Sequence, residues 1–322
     1  MTRLMLGAAL FSAAAACWAQ GYDPKIAFTS YQGNADNLYL ANEDGSNPVS
    51  IYRANKVRLD AIDMAPVNVA TPGAGRIAFS QSGVLKILTY QVSAGGITAT
   101  GLTTLDAAGA PYEGANDPDF SPDGSKILYT RKTGGIPTEI RLIPAAGGTP
   151  KVLWTAASAA SQYIKQPRWL DASEFAFIRG GGLAYSTDVQ LASLDASDNV
   201  VSPTTTLFTS ADSFFSSNGL GGFEDFDVAR TRASLLITVT AGAGNYRAFV
   251  EYNRLDGSFL RRVSDNGWRG HFTSSDAYIL YLHGSTRTFN VYDYVYRFDT
   301  NPPNNTIQLT SKSQFGYADS RP

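Results

Sequence analysis

The sequence predicts an all-β fold: a six-bladed β-propeller of four-stranded antiparallel blades, closed by the C-terminal segment. Three observations predict it. The stretch DPDFSPDGSKILYTRKTGGIPTEIRLIPAAGGTPKVLW, from Asp117 to Trp154, reads as four short strands joined by turns. Its second strand has counterparts along the whole chain at a spacing of about 50 residues, the period of propeller blades. The chain ends on Tyr317-Ala318-Asp319-Ser320-Arg321-Pro322, which resembles the approach to a first strand, and the first unit lacks one.

The elements of the unit follow in order. Asp119 to Ser121 is a short strand. Pro122-Asp123-Gly124-Ser125 is a turn, because Pro presets φ and Gly accepts positive φ without a steric cost. Lys126 to Thr130 is a second strand, apolar and aromatic enough for a sheet interior. Arg131 to Pro137 is a Gly-containing loop, and Thr138 to Ile143 alternates as a third strand. Ala146-Gly147-Gly148-Thr149 turns the chain into a fourth strand, Lys151 to Trp154.

The copies share this frame. Second strands recur as KIAFTS from Lys25, RIAFS from Arg76, EFAFI from Glu174, SLLITV from Ser234 and YILYL from Tyr278. One slot of the first strand reads Met64, Phe120, Trp169, Val228, Phe272, always apolar, as a wedge between neighbouring sheets must be. The residue before it reads Asp63, Asp119, Arg168, Asp227, His271. The turn after the third strand recurs as Asp44-Gly45-Ser46 and Asp256-Gly257-Ser258, and more weakly as Asp195-Ala196-Ser197. Ser210 to Gly222, rich in Ser and Gly, is a longer surface loop that delays the fifth unit. A four-stranded meander cannot bury both of its faces alone, whereas six around an axis can, with few edges left open. The first unit starts at its second strand, so the C-terminus is expected to supply its inner strand.

Of the 322 residues, 43% are hydrophobic and 17% charged, a globular composition. The 26 basic and 28 acidic side chains leave no basic field to gather phosphates, which argues against a nucleic-acid partner. Residues 1–19 read as a signal peptide: Arg3, an apolar run from Leu4 to Ala16 too short to span a bilayer, and small residues at the −3 and −1 positions of a cut after Ala19. That leaves residues 20–322 as the propeller domain. Cleavage removes Cys17, the only cysteine, so strand pairing and burial alone must hold the fold. A second reading takes Ala14-Ala15-Ala16-Cys17 as a lipoprotein box with a lipid anchor on Cys17. Ala14 where Leu is usual, and the short tether to Lys25, favour cleavage. Both readings export the protein, to the periplasm or beyond the cell. No later segment is long and apolar enough to serve as a transmembrane span.

With PDFSPDGSKILYT and KIAFTS…NLYLANEDGSNP in view, the chain resembles TolB-like propellers built from WD40-like repeats of the P-x-F-S-P-D-G type. The resemblance covers essentially the whole mature chain. The Asp117–Trp154 copy is close to the family pattern, and the others keep the spacing with fewer of the letters. It implies a six-bladed propeller in the bacterial periplasm or outside the cell, with a protein or peptide partner of the envelope. TolB carries an α/β domain before its propeller, and nothing of that size fits between Gln20 and Lys25. Similar propellers cap prolyl peptidases, which need a following α/β-hydrolase domain.

No complete catalytic set is legible. His271 and His283 are the only histidines, and without a mature cysteine no zinc site of His and Cys forms. No G-x-S-x-G elbow accompanies them. Asp117-x-Asp119-x-Ser121-x-Asp123 has the look of a calcium loop, but Pro122 and Leu128 stand where an EF-hand needs Gly and Glu. No metal and no cofactor is expected. Glu224 and Asp225 are an acidic pair without a visible cleft. Gly180-Gly181-Gly182 lacks the strand–loop–helix setting of a phosphate cradle and reads as a hairpin turn. Asn304-Asn305-Thr306 fits a glycosylation sequon beside Pro302-Pro303. Tyr292, Tyr294 and Tyr296 alternate as one aromatic face, which packing between blades explains.

One constellation points to binding. The position two residues before the Asp119 slot lies where the chain enters each inner strand, at one mouth of the central channel. Its occupants are Ala61, Asp117, Gln166, Asp225 and Arg269, with Arg321 near the clasp, and His271 follows inside. Mixed charges converging on a funnel suit a peptide end or a polar ligand. The competing reading makes them solvated turn residues that pair with one another. The expectation is an exported, non-enzymatic propeller binding a protein or peptide. The alternative is a carbohydrate-active hydrolase or lyase with acidic residues in the funnel.

Overall fold

The computed structural model describes residues 24–32, 35–57, 59–66, 73–107, 114–133, 136–156, 162–181, 185–209, 220–241, 246–253, 255–264, 268–273, 275–283, 294–301, 305–309 and 318–319. Among the described residues every regular element is a strand. They form six four-stranded antiparallel blades, each named here from hub to rim. The first is β24 (Ala318–Asp319), β1 (Pro24–Gln32), β2 (Ala35–Asn42) and β3 (Val49–Asn55). The second is β4 (Leu59–Met64), β5 (Ala74–Gln81), β6 (Val84–Ser93) and β7 (Gly96–Asp106). The third is β8 (Gly114–Phe120), β9 (Lys126–Thr133), β10 (Ile136–Pro144) and β11 (Lys151–Thr155). The fourth is β12 (Gln162–Trp169), β13 (Glu174–Gly181), β14 (Tyr185–Leu194) and β15 (Val200–Thr209). The fifth is β16 (Leu220–Val228), β17 (Ser234–Ala241), β18 (Tyr246–Asn253) and β19 (Phe259–Ser264). The sixth is β20 (Trp268–Phe272), β21 (Tyr278–His283), β22 (Tyr294–Asp299) and β23 (Thr306–Gln308). A single pairing, Ser186 with Phe223, joins the fourth and fifth sheets.

The second strands are apolar on both faces because both faces are buried. Ile127 and Tyr129 of β9 pack toward the second blade, and Leu128 between them packs toward the fourth. The same alternation sends Ile26 and Phe28 toward the sixth blade and Ala27 toward the second. Each of the six blade–blade interfaces carries its own apolar cluster. The wedge residues Met64, Phe120, Trp169, Val228 and Phe272 are all buried, as their slot requires.

The ring closes through the C-terminus, as expected. β24 pairs Ala318 with Phe28 and Asp319 with Ala27. That register puts Asp319 in the slot of Asp63, which pairs with Ala78 one blade on.

Polar ties run from each of the first five blades to the next near the hub. An acceptor on the earlier blade takes a backbone N–H of the following inner strand. Asp36 Oδ2 takes Leu59 N at 2.9 Å, and Asp63 Oδ2 takes Phe120 N. Asp119 Oδ2 takes Trp169 N at 2.6 Å, Gln166 Oε1 takes Phe226 N at 3.2 Å, and Asp227 Oδ2 takes Phe272 N at 2.8 Å. Inner-strand N–H groups facing a neighbouring blade would otherwise be buried without a partner, at a cost of about 1–3 kcal/mol each.

The repeat turns are built alike. In the PDGS turn Gly124 has φ 68° and Asp123 Oδ1 accepts Ser125 N at 2.9 Å. Asp44, Asp195 and Asp256 accept from the backbone two residues on in the same way. Asp276, at φ 54°, takes the place of Gly124 in the sixth blade.

Several strands run longer than the sequence suggests. β9 reaches Thr133 and β10 starts at Ile136, so only residues 134–135 remain of the Arg131–Pro137 loop. β8 starts at Gly114, well before Asp119, and Leu220–Gly222 belong to β16 rather than to the preceding loop. Gly180 and Gly181 lie in β13 rather than in a turn. A Cβ on Gly180 would collide with the Tyr163 ring, so the glycine makes room for that side chain. These strand ends lack apolar alternation, and their pairing comes from the neighbouring strand. His283 ends β21 opposite Tyr294.

Candidate binding site at the hub

Each inner strand from the second to the sixth blade breaks register with its neighbour near the candidate position. The shifts fall between Leu59 and Ala61, Asn116 and Asp119, Lys165 and Arg168, Phe223 and Asp225, and Trp268 and His271. Bulges of this kind bend a strand and re-aim its side chains. In the third, fourth and sixth blades the bulge holds a non-glycine residue in the left-handed region: Asp117 at φ 50°, Gln166 at 53° and Arg269 at 54°. Such a conformation costs about 1 kcal/mol or more per residue and clusters at functional sites. The sequence gives partial notice of it. Pro118 and Pro167 keep the residues before them out of the right-handed helical region.

The structure brings most of the predicted residues together. Asp117 Oδ2 accepts Thr130 Oγ1 at 3.1 Å and lies 3.4 Å from Gln166 N. Gln166 Oε1 is engaged by Phe226 N. His271 sits between two carboxylates: Nε2 lies 3.9 Å from Asp225 Oδ2, and Nδ1 lies 3.8 Å from Asp227 Oδ1. Asp225 is buried, and its Oδ1 has no hydrogen-bond partner among the described residues. Burial pushes its carboxyl above the ordinary range, against the pull of His271, Arg168 and Arg269. Arg269 remains half-buried near it. Ala61 is buried and offers no polar group. Arg321 and the signal-peptide segment lie outside the described residues.

Two basic residues of the site were missed by reading one slot at a time. Arg168 takes the slot that holds Asp in the second, third and fifth blades. Its Nη1 lies 4.0 Å from Asp119 Oδ1 and its Nε 3.9 Å from Asp227 Oδ1, so one guanidinium bridges acids of two flanking blades. Lys165 precedes the bulge. The residue keeps some surface, but its ammonium is enclosed among protein atoms, and burial lowers its proton affinity against the pull of Glu224, Asp225 and Asp117. Its Nζ also stands 5.5 Å from the Tyr163 ring centre. The signal that could have found Arg168 was present: a base where the repeat has an acid.

The calcium-loop letters serve separate ends. Asp117 faces Thr130 and Gln166, Asp119 reaches Trp169, and Asp123 caps its own turn through Ser121 and Ser125. Among the described residues no group of three or more His, Cys, Asp or Glu is placed to hold a metal ion. Nor do they contain a helix long and apolar enough to cross a membrane.

This arrangement is a six-bladed β-propeller with a mixed-charge hub. No family profile matches the chain, and no curated protein sequence matches it. Its fold is similar to that of TolB from Acinetobacter baumannii, with a TM-score of 0.64 at 14% identity over 92% of this chain and 66% of that one. It is also similar to a putative TolB from Agrobacterium tumefaciens, with a TM-score of 0.60 at 16% identity over 94% of this chain and 100% of that one. A more distant likeness, with a TM-score of 0.51 at 9% identity, is to prolyl oligopeptidase B from Galerina marginata, over 90% of this chain and 41% of that one. The chain thus spans just under two thirds of the Acinetobacter protein.

Proposed function

We propose that this protein is an exported, non-enzymatic propeller that holds a peptide segment of an envelope protein at the hub mouth. The observation that carries the reading is the cluster of Asp117, Lys165, Asp225, Arg269 and His271, set on bulged inner strands at a backbone cost. Opposite charges gathered on neighbouring inner strands suit an extended peptide, whose backbone and termini carry both donors and acceptors. Arg3, the Leu4–Ala16 run and the Cys17-Trp18-Ala19 site support export, with the periplasm as the compartment. The likeness to TolB structures supports an envelope setting and a protein partner.

The test pairs capture with turnover. The mature protein is used to capture partners from its own envelope extract, and the double variant Asp117→Lys, Arg269→Glu is run beside it. Loss of the captured protein in a variant that still folds is the expected result. Equal capture by the variant removes the hub from the reading. Release of product from oligosaccharides by the wild type replaces it with the carbohydrate-active alternative.

A further inference from the structure

Edge strands are templates for further pairing, and most of the outer strands here carry a guard against it. β3 has an exposed Arg53 within it. β11 is five residues long, and its Lys151 reaches across to Ser197 O and Asn199 Oδ1. β15 contains Pro203, which has no N–H to offer. β19 carries Arg261 and Arg262, and β23 is three residues long.

β7 has none of these guards. It is eleven residues long, the edge of its sheet, and free of Lys, Arg, Glu and Pro. Its one charge, Asp106, is its last residue and is turned toward the third blade, where it accepts Tyr129 OH at 2.8 Å and Arg131 Nη1 at 2.9 Å. Thr98 to Thr104 are exposed on both faces, and Leu102 shows 46% of its surface to solvent. β7 does bulge at Thr100 and again at Leu105, but bulges also interrupt β3, β11, β15 and β19 and do not distinguish it. Between the two bulges, Gly101 to Thr104 run in unbroken register with β6.

We infer that β7 is a self-association edge, pairing antiparallel with β7 of a second copy of this chain to join two propellers rim to rim. The chemistry of the strand selects that occupant. A two-fold pairing sets a strand against itself, so any charge near its centre would meet its own like. The uncharged run from Gly96 to Leu105 meets that condition, whereas the arginines of β3 and β19 violate it. A two-fold axis at Leu102 lays that side chain against Leu102 of the partner subunit and removes exposed apolar surface from water. The same axis sets Gly101 opposite Thr103 of the partner subunit, a small residue against a β-branched one.

Sedimentation of the mature protein over about 1–100 μM tests it, a range that brackets a modest interface. The weight-average mass is expected to climb toward twice that of the chain. Leu102→Lys places two ammonium groups at the axis and is expected to shift the midpoint upward by more than about tenfold in concentration. Thr103→Lys, at an exposed position, should do the same, and it serves if Leu102→Lys fails to fold. Val152→Lys, on the guarded β11, should behave as wild type. A wild type that stays at the single-chain mass throughout overturns the inference, and so does a folded Lys variant of β7 that still dimerises at the wild-type midpoint.

Discussion

Replacing Asp119 tests the logic of the hub most directly. Its carboxylate is fully buried, with Oδ2 2.6 Å from Trp169 N and Oδ1 4.0 Å from Arg168 Nη1. Asp119→Ala removes a charge-assisted hydrogen bond of about 1.5–3 kcal/mol and strands a buried N–H. It also takes away one of the carboxylates that flank Arg168. Breaking one side of a buried, paired charge costs about 3–5 kcal/mol in all. For a chain of this size each kcal/mol moves the melting temperature by roughly 2 °C, so a fall of about 6–10 °C is expected. Asp119→Asn keeps an acceptor for Trp169 N and should fall about half as far. Asp123→Ala is the control. It lies three residues past the inner strand, accepts from Ser121 and Ser125 on an exposed turn, and should move the melting point by about 2 °C or less. Thermal melts followed by circular dichroism read all three. An Asp119→Ala protein melting within about 2 °C of wild type would refute the claim that these carboxylates tie the blades together.

Deleting residues 316–322 removes β24, its two pairings with β1 and the Asp319 slot, and should lower the melting temperature clearly; an unchanged melt would mean that the ring closes without it. Asp225→Asn should raise the melting temperature at pH 7. The sign follows from the raised carboxyl of Asp225: below the unfolded value of 3.8 both states are protonated, and as pH rises through the higher folded value the native state must take on a buried charge and loses stability. The gap between variant and wild type should therefore close in melts run below pH 3.8.

The repeat made the architecture legible because both of its signals are local. The apolar second strands are written into each blade, and the turn letters of Pro122-Asp123-Gly124-Ser125 state their own φ requirement. Ring closure was legible too, since the Tyr317–Pro322 tail resembles the approach to a first strand at Ala115-Asn116-Asp117-Pro118, but its register was not: Asp319 takes the slot of Asp63 and Asp119, not that of Asp117. Strand lengths were not: β8, β16 and the ends of β9 and β10 are paired by neighbours rather than by their own alternation. The hub was half legible. The positions could be aligned, but their chemistry depends on residues some 50 positions away in the next blade, and one chain read in one direction does not bring those together.

Gln166 shows what such a reading costs. By position it belongs with Asp117 and Arg269, and it shares their left-handed backbone. Yet the fourth blade carries Arg168 where the second, third and fifth carry a tying Asp, and an arginine cannot accept an N–H. Gln166 Oε1 supplies the missing acceptor, to Phe226 N. Its carbonyl is therefore bound up in the ring, and at most its amide hydrogens face a ligand. Arg168 in turn is what that exchange makes possible: a cation between Asp119 and Asp227, where a fourth consecutive acid would have stacked like charges among buried side chains. His271 repeats the substitution beyond Asp227. The base-for-acid changes at these two slots let the hub concentrate carboxylates near its mouth and still close, and a site of mixed charge follows from the way the ring is held shut.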